Sequence, residues 1–196
     1  FAPQGAVSML VATMQASEAD PEAHRRLAEA LMASRRAREA AKELERAADL
    51  YMEQGRNVKA ASVLVQAVQF AGGPANLDPA LLEKLRQALF LGVLEPGAAD
   101  VLAAAQEVAP RRDLPAVCEA RAHVLKGEIE KARITLQPVL AGNPEDLLAL
   151  AVMVEIHLAS GQSEAARALL ADMLVRPDVP GWLAQHLNHL RDSLSS

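Results

Sequence analysis

Histidine, cysteine and carboxylate side chains are the groups that could carry chemistry in this chain, and their spacing decides how much of it is available. His186 and His189 lie three apart, which puts both on one helical face within reach of a shared zinc ion, but the sequence offers no third ligand and they read as solvated side chains. The lone Cys118 can neither close an internal disulfide nor supply a thiolate cage, and between Val117 and Glu119 it reads as a buried structural thiol on a helix. Gly-x-Ser-x-Gly, Gly-x-x-x-x-Gly-Lys and Rossmann glycine motifs are all missing from the chain, and Gly72-Gly73-Pro74 reads as a connecting loop. Glu39, Glu43 and Glu45 alternate with Arg38, Lys42 and Arg46 at helical spacing, which reads as salt-bridge lacing on an exposed face. No catalytic residue, metal ligand or cofactor site is assigned, and a non-enzymatic role is expected.

The elements that would position any site must be helices. Of 196 residues, 51% are hydrophobic but only 3% aromatic, and alanine, leucine, glutamate and arginine dominate, a mixture that favours helix over strand. The expected fold class is all-α. The basic clusters Arg25-Arg26 and Arg35-Arg36-Arg38 are interleaved with Glu22, Glu29, Glu39, Glu43 and Glu45, and the whole chain carries a formal charge of −5, so nucleic acid is not an expected partner. Membrane insertion is not expected either. No apolar run reaches the ~18 residues of a span, and the longest, residues 147–159, carries Glu155 and His157. Residues 6–14 are apolar without the basic flank of a secretion signal, and the chain opens on Phe1. It therefore reads as a fragment or a matured product, with a cytoplasmic location as the expectation.

A fixed interval organises these helices. Gly127, Ala132 and Leu136 recur 34 residues later as Gly161, Ala166 and Leu170, His123 recurs as His157, and Ala98, Leu102 and Pro110 precede Ala132, Leu136 and Pro144 by the same 34. Equivalent histidines in neighbouring repeats stand about 10 Å apart at ordinary helix spacing, too far to share a metal. An earlier copy contains Leu44, Ala48, Tyr51, Gly55, Ala60 and Leu64; its step to the next is 38, and the extra residues are expected at Gly72-Gly73-Pro74. Each copy reads as two amphipathic helices with a glycine turn between them, small alanines permitting close approach and leucines filling the next turn. Asp20-Pro21, Asp78-Pro79 and Asn143-Pro144 read as helix starts. Pro138 is expected to kink a second helix.

The pattern resembles the tetratricopeptide repeat, a 34-residue helix-turn-helix unit. The resemblance covers residues 41–178 as four units near 41–74, 79–112, 113–146 and 147–180. The copy with Tyr51 and Gly55 is close; later ones carry Arg86 and Val154 for a small residue, Val93 for the turn glycine, Glu119 for a leucine, and Leu89, His123 and His157 for the tyrosine. What the resemblance implies is one domain over residues 1–196, a right-handed α-solenoid of antiparallel helix pairs. Flanking helices are expected in residues 1–40, among them 6–16 and 21–36, and a capping helix in 181–196. Residues 37–54 contain no breaker, so one long helix shared with 21–36 is open, with a bend near Ser34-Arg35-Arg36 the favoured reading.

In that family first helices line a concave groove. Here the implied groove residues are Glu45, Asp49 and Met52, then Glu83, Gln87, Phe90 and Leu91, then Arg121, Val124 and Leu125, then Glu155 and Leu158. Met52, Phe90, Val124 and Leu158 form an apolar column that suits either a bound amphipathic helix or packing between neighbouring first helices. The acidic and apolar lining argues against a clamp for free carboxylates in this groove. The expected partner is another protein or a helical peptide. Self-association as a homodimer, through residues 6–14 or around Trp182, and service as the regulatory arm of an enzyme encoded outside these residues are the alternatives.

Overall fold

In the computed structural model, which describes residues 19–72, 79–108 and 113–194, Asp20 opens the first helix, its Oδ1 accepting from the Glu22 N–H at 2.9 Å with Pro21 in the first turn. Among the described residues ten helices run in order: α1 (Pro21–Ala33), α2 (Ala37–Glu53), α3 (Asn57–Phe70), α4 (Pro79–Leu91), α5 (Ala98–Val108), α6 (Leu114–Leu125), α7 (Ile129–Gly142), α8 (Leu147–Ala159), α9 (Ser163–Leu174) and α10 (Gly181–Ser193). Among the described residues there is no strand, so the protein is all-α. The expected helix over 6–16 and residues 73–78, with Asp78 of the Asp78-Pro79 start, lie outside the described residues, as does Pro110.

Four of the turns share one geometry. At Gly55 the N–H donates to the Met52 carbonyl at 2.9 Å and the next N–H, of Arg56, reaches back to Tyr51 at 2.8 Å, the paired bonds of a glycine-terminated helix end. Gly127 and Gly161 repeat both bonds, Gly127 to Val124 and Gly161 to Leu158, followed by Glu128 to His123 and Gln162 to His157. Arg35 repeats them again between α1 and α2, in the left-handed region at φ 59°. Residues 21–54 are therefore two helices separated by a full turn, located where the bend is expected.

Helices α1–α5 form one compact unit and α6–α10 another. In the first, α2 packs between α1 and α3, and both α4 and α5 rest on α3 while barely touching each other. Leu44, Ala47, Ala48 and Tyr51 recur at helical spacing on one face of α2 and are all buried. Ala60 on α3 is fully buried, which allows the close approach, and Leu64 one turn on is buried too. Each such leucine contributes about 2 kcal/mol by leaving water. In the second unit α6 packs on α7 and α8, α8 on α7 and α9, and α10 on α9. Ala132 and Ala166, with Leu136 and Leu170, are buried as Ala60 and Leu64 are.

The second copy departs from this scheme. Ala98 and Leu102 are only half-buried, and Ala105 is the residue that α5 buries. Two contacts with α3 explain the shift, one of backbone and one of side chain. Gly92 lies so close to α3 that a Cβ there would stand 3.1 Å from the Val58 nitrogen, and Glu95 caps the start of α3. The α4–α5 connection is thus occupied with α3, and α5 begins only after Gly97. Asn143-Pro144 does not start a helix either. Asn143 ends α7, and Asp146 opens α8 because its carboxylate accepts from both the Leu148 and Ala149 N–H groups, at 3.1 and 2.9 Å. α7 continues through Pro138 to Gly142. Glu43, expected on an exposed face, is buried, its Oε2 2.8 Å from His24 Nδ1 and its Oε1 2.7 Å from Arg46, because a carboxylate removed from water needs partners that satisfy it.

Candidate partner-binding surface

In the first unit the expected groove residues come from α2 and α4. Lys84 of α4 reaches across to α2, its Nζ 3.0 Å from Glu45 Oε1 and 2.8 Å from Asp49 Oδ1. Burial works to lower the pKa of this ammonium, but the bonds to Asp49 and Glu45 outweigh it and hold Lys84 more firmly protonated than a free lysine. Glu45 and Asp49 are thereby brought together, with Met52 one turn further and half-buried. Glu83, Gln87 and Leu91 on α4 are half-buried, and Glu83 accepts from Arg86 at 2.8 Å. Phe90 has no exposed surface, so it belongs to the core and not to an open face. Lys84 was not among the expected residues; a lone positive charge facing two acids of the preceding first helix is the only signal for it.

In the second unit Arg121 of α6 and Glu155 of α8 are 7% exposed each, and the Arg121 Nε–H donates to Glu155 Oε1 at 3.1 Å. His186 of α10 places Nε2 2.9 Å from the same oxygen, so this histidine, read as solvated, is part of a buried cluster joining three helices. Arg121 and Glu155 are spent on one another and on that joint. The other Glu155 oxygen, Oε2, is buried without a hydrogen-bond partner. Leu125 is 47% exposed, with Val124 and Leu158 half-buried beside the turns of α6 and α8. These three form the accessible apolar part of the expected site in this unit.

Each of the three glycine turns is also crossed by a side-chain pair. His123 Nδ1 lies 2.6 Å from Glu128 Oε2, and His157 Nδ1 lies 2.6 Å from Gln162 Oε1, the same five-residue step 34 positions later. In the first copy the pair is Tyr51 and Arg56, with the guanidinium 5.1 Å from the ring centroid. Hydrogen bonds from Lys131 and then from His123 hold the Glu128 carboxyl down at about 2. The histidines of the repeat thus brace turns. Among the described residues no group of three histidine, cysteine, aspartate or glutamate side chains could hold a metal ion, and no helix is long and apolar enough to cross a membrane. Cys118 is buried, and desolvation pushes its thiol up to about 12.

Comparison with models of protein families, with curated proteins and with solved structures finds no significant match to this chain.

Proposed function

We propose that this chain is a non-enzymatic interaction module, a solenoid-like stack of tetratricopeptide-like helix pairs that holds a helical segment of another protein against its first helices. The observation that supports the reading is the packing of consecutive first helices α6 and α8, joined by Arg121 and Glu155, whereas α2 and α4 are linked through the Lys84 side chain. Side-by-side first helices are what a stacked array requires. Within the first unit the strip of Glu45, Asp49, Met52, Glu53 and Glu83 carries four carboxylates against Lys84 and Arg86, which favours a basic or amphipathic segment. Within the second unit Val124, Leu125 and Leu158 offer apolar surface to the stripe of an amphipathic helix.

The test is affinity capture with quantitative mass spectrometry, comparing the native chain with Leu125→Glu/Leu158→Glu and with a Met52→Glu variant. Partners that co-purify with the native chain and are lost from the apolar-to-acidic variants, at unchanged helicity, fit this reading. Full retention of every partner would end it.

A further inference from the structure

A cleft of about 270 Å³ opens in the first unit, walled by Glu22 and Arg25 of α1, Tyr51 of α2, and Lys59, Ser62 and Gln66 of α3. None of the groove residues discussed above lines it. The walls differ in how far their polar groups are satisfied. On the α1–α2 side the Tyr51 hydroxyl donates to Glu22 Oε1 at 2.6 Å and the Arg25 Nε–H donates to Glu22 Oε2 at 2.8 Å, so both carboxylate oxygens are taken, and Arg25 is shared between Glu22 and Glu29. The α3 side is not satisfied internally. Lys59, Ser62 and Gln66 recur at three and four along a helix that is otherwise largely apolar, which sets them in a row facing the cleft, and none of them hydrogen-bonds or ion-pairs with a described residue. The Lys59 ammonium stands 5.9 Å from the Tyr51 ring centroid, and Arg56 stands 5.1 Å from it, also with no carboxylate partner among the described residues.

The cleft therefore carries surplus positive charge together with a free hydroxyl and a free amide, and a group that accepts several hydrogen bonds while bearing negative charge meets all of them. A cation would face the Lys59 ammonium, the one lining charge with no hydrogen-bonded carboxylate among the described residues. We infer that this cleft binds a carboxylate borne on a short flexible chain, whether a free dicarboxylate or the glutamate side chain of an acidic peptide, with Lys59 pairing its charge and Ser62 and Gln66 donating to its oxygens. Glu22, held ionised by Tyr51 and Arg25, keeps Tyr51 in place as the wall opposite α3.

The experiment is amide chemical-shift titration of the isotopically labelled chain with glutarate, with the peptide acetyl-Glu-Glu-amide and with uncharged glutaramide. Glutarate, the peptide or both should give saturable shifts centred on Lys59, Ser62 and Gln66, with a dissociation constant on the order of 1 mM, and glutaramide should give none. Saturation by both probes shows that the free dicarboxylate suffices, and saturation by the peptide alone assigns the site to acidic peptides. Lys59→Met, at an exposed position, should weaken binding at least about tenfold with no change in the thermal midpoint, and Gln66→Leu should weaken it less. Absence of saturable shifts with both charged probes, or undiminished binding by Lys59→Met, would overturn the assignment. Loss of partner capture through Leu125 and Leu158 would leave it standing, since those residues are remote from this cleft in sequence and function.

Discussion

Arg121 and Glu155 hold the same position in consecutive first helices, 34 residues apart, and meet as a buried ion pair with Nε 3.1 Å from Oε1. Breaking one side of such a pair strands a charge in a poorly solvated site, whereas replacing both sides with apolar groups need not be costly. Arg121→Met is expected to lower stability by about 3–5 kcal/mol and the double variant Arg121→Met/Glu155→Leu by much less. Urea denaturation followed by circular dichroism measures both. A double variant no more stable than the single one would show that the pair is not an energetic unit.

Glu95 closes the amino end of α3 from 38 residues away. Its Oε1 accepts from the Asn57 N–H at 2.9 Å and its Oε2 from the Val58 N–H at 3.0 Å, supplying the cap that Arg56, at the N-cap position, does not. Glu95→Ala should cost about 1–2 kcal/mol by leaving helix-start donors unpaired and removing a carboxylate from the positive end of the helix. Gly92→Ala should act on the same joint by contact, because its Cβ would meet Asn57 Cβ and the Ala88 carbonyl at 3.0 Å. Combining the two should cost less than the sum. Strict additivity would separate the close approach from the cap.

These contacts mark where the sequence was legible and where it was not. Ala60, Ala132 and Ala166, with Leu64, Leu136 and Leu170, are buried at the positions their interval assigns, since the contact between paired helices requires small and then large residues whatever surrounds them. Ala98 and Leu102 keep the interval but not the burial, because the joint made by Gly92 and Glu95 is a long-range contact that periodicity does not encode. Phe90 shows that apolar character alone does not separate a groove from a core. Glu43 and His186 were read as solvated for a common reason: their partners, His24 and Glu155, lie on other helices 19 and 31 residues away. The two helices flanking Arg35 were legible only as a bend, since an arginine does not announce a left-handed turn.

Arg35 and Gly55 end successive helices with the same two backbone bonds at φ 59° and 68°, but only one is a glycine. A Cβ in this region costs about 1–2 kcal/mol, part of which the greater freedom of glycine in the unfolded chain returns. Arg35→Gly should therefore stabilise the protein by about 0.5–1 kcal/mol. Gly55→Val should destabilise it by about 1 kcal/mol or more, through the backbone alone, because a Cβ at Gly55 meets nothing within 4 Å. Thermal unfolding of both variants checks the signs. A loss of stability in Arg35→Gly would mean that its side chain contributes more than its conformation costs.

Tyr51 is the only tyrosine in the chain, so tyrosinate absorbance reports one site. Burial first, and then the hydrogen bond to the Glu22 carboxylate, push its phenol up to about 12. The folded protein should show a titration midpoint near that value, and the urea-unfolded chain should return to about 10. A group whose pKa is raised by folding gives its full stabilisation below the unfolded value and loses it as pH climbs through the folded one. Stability should therefore fall between about pH 10 and 12, by less in Tyr51→Phe than in the native chain. At the acid end Glu22, whose pKa is lowered chiefly by the same Tyr51 bond and then by Arg25, contributes above its unfolded value and loses that contribution as pH drops through its depressed one. Glu22→Gln should move the Tyr51 midpoint only part of the way down, since desolvation is the larger cause. A midpoint near 10 in the folded native chain would refute the buried phenol–carboxylate bond.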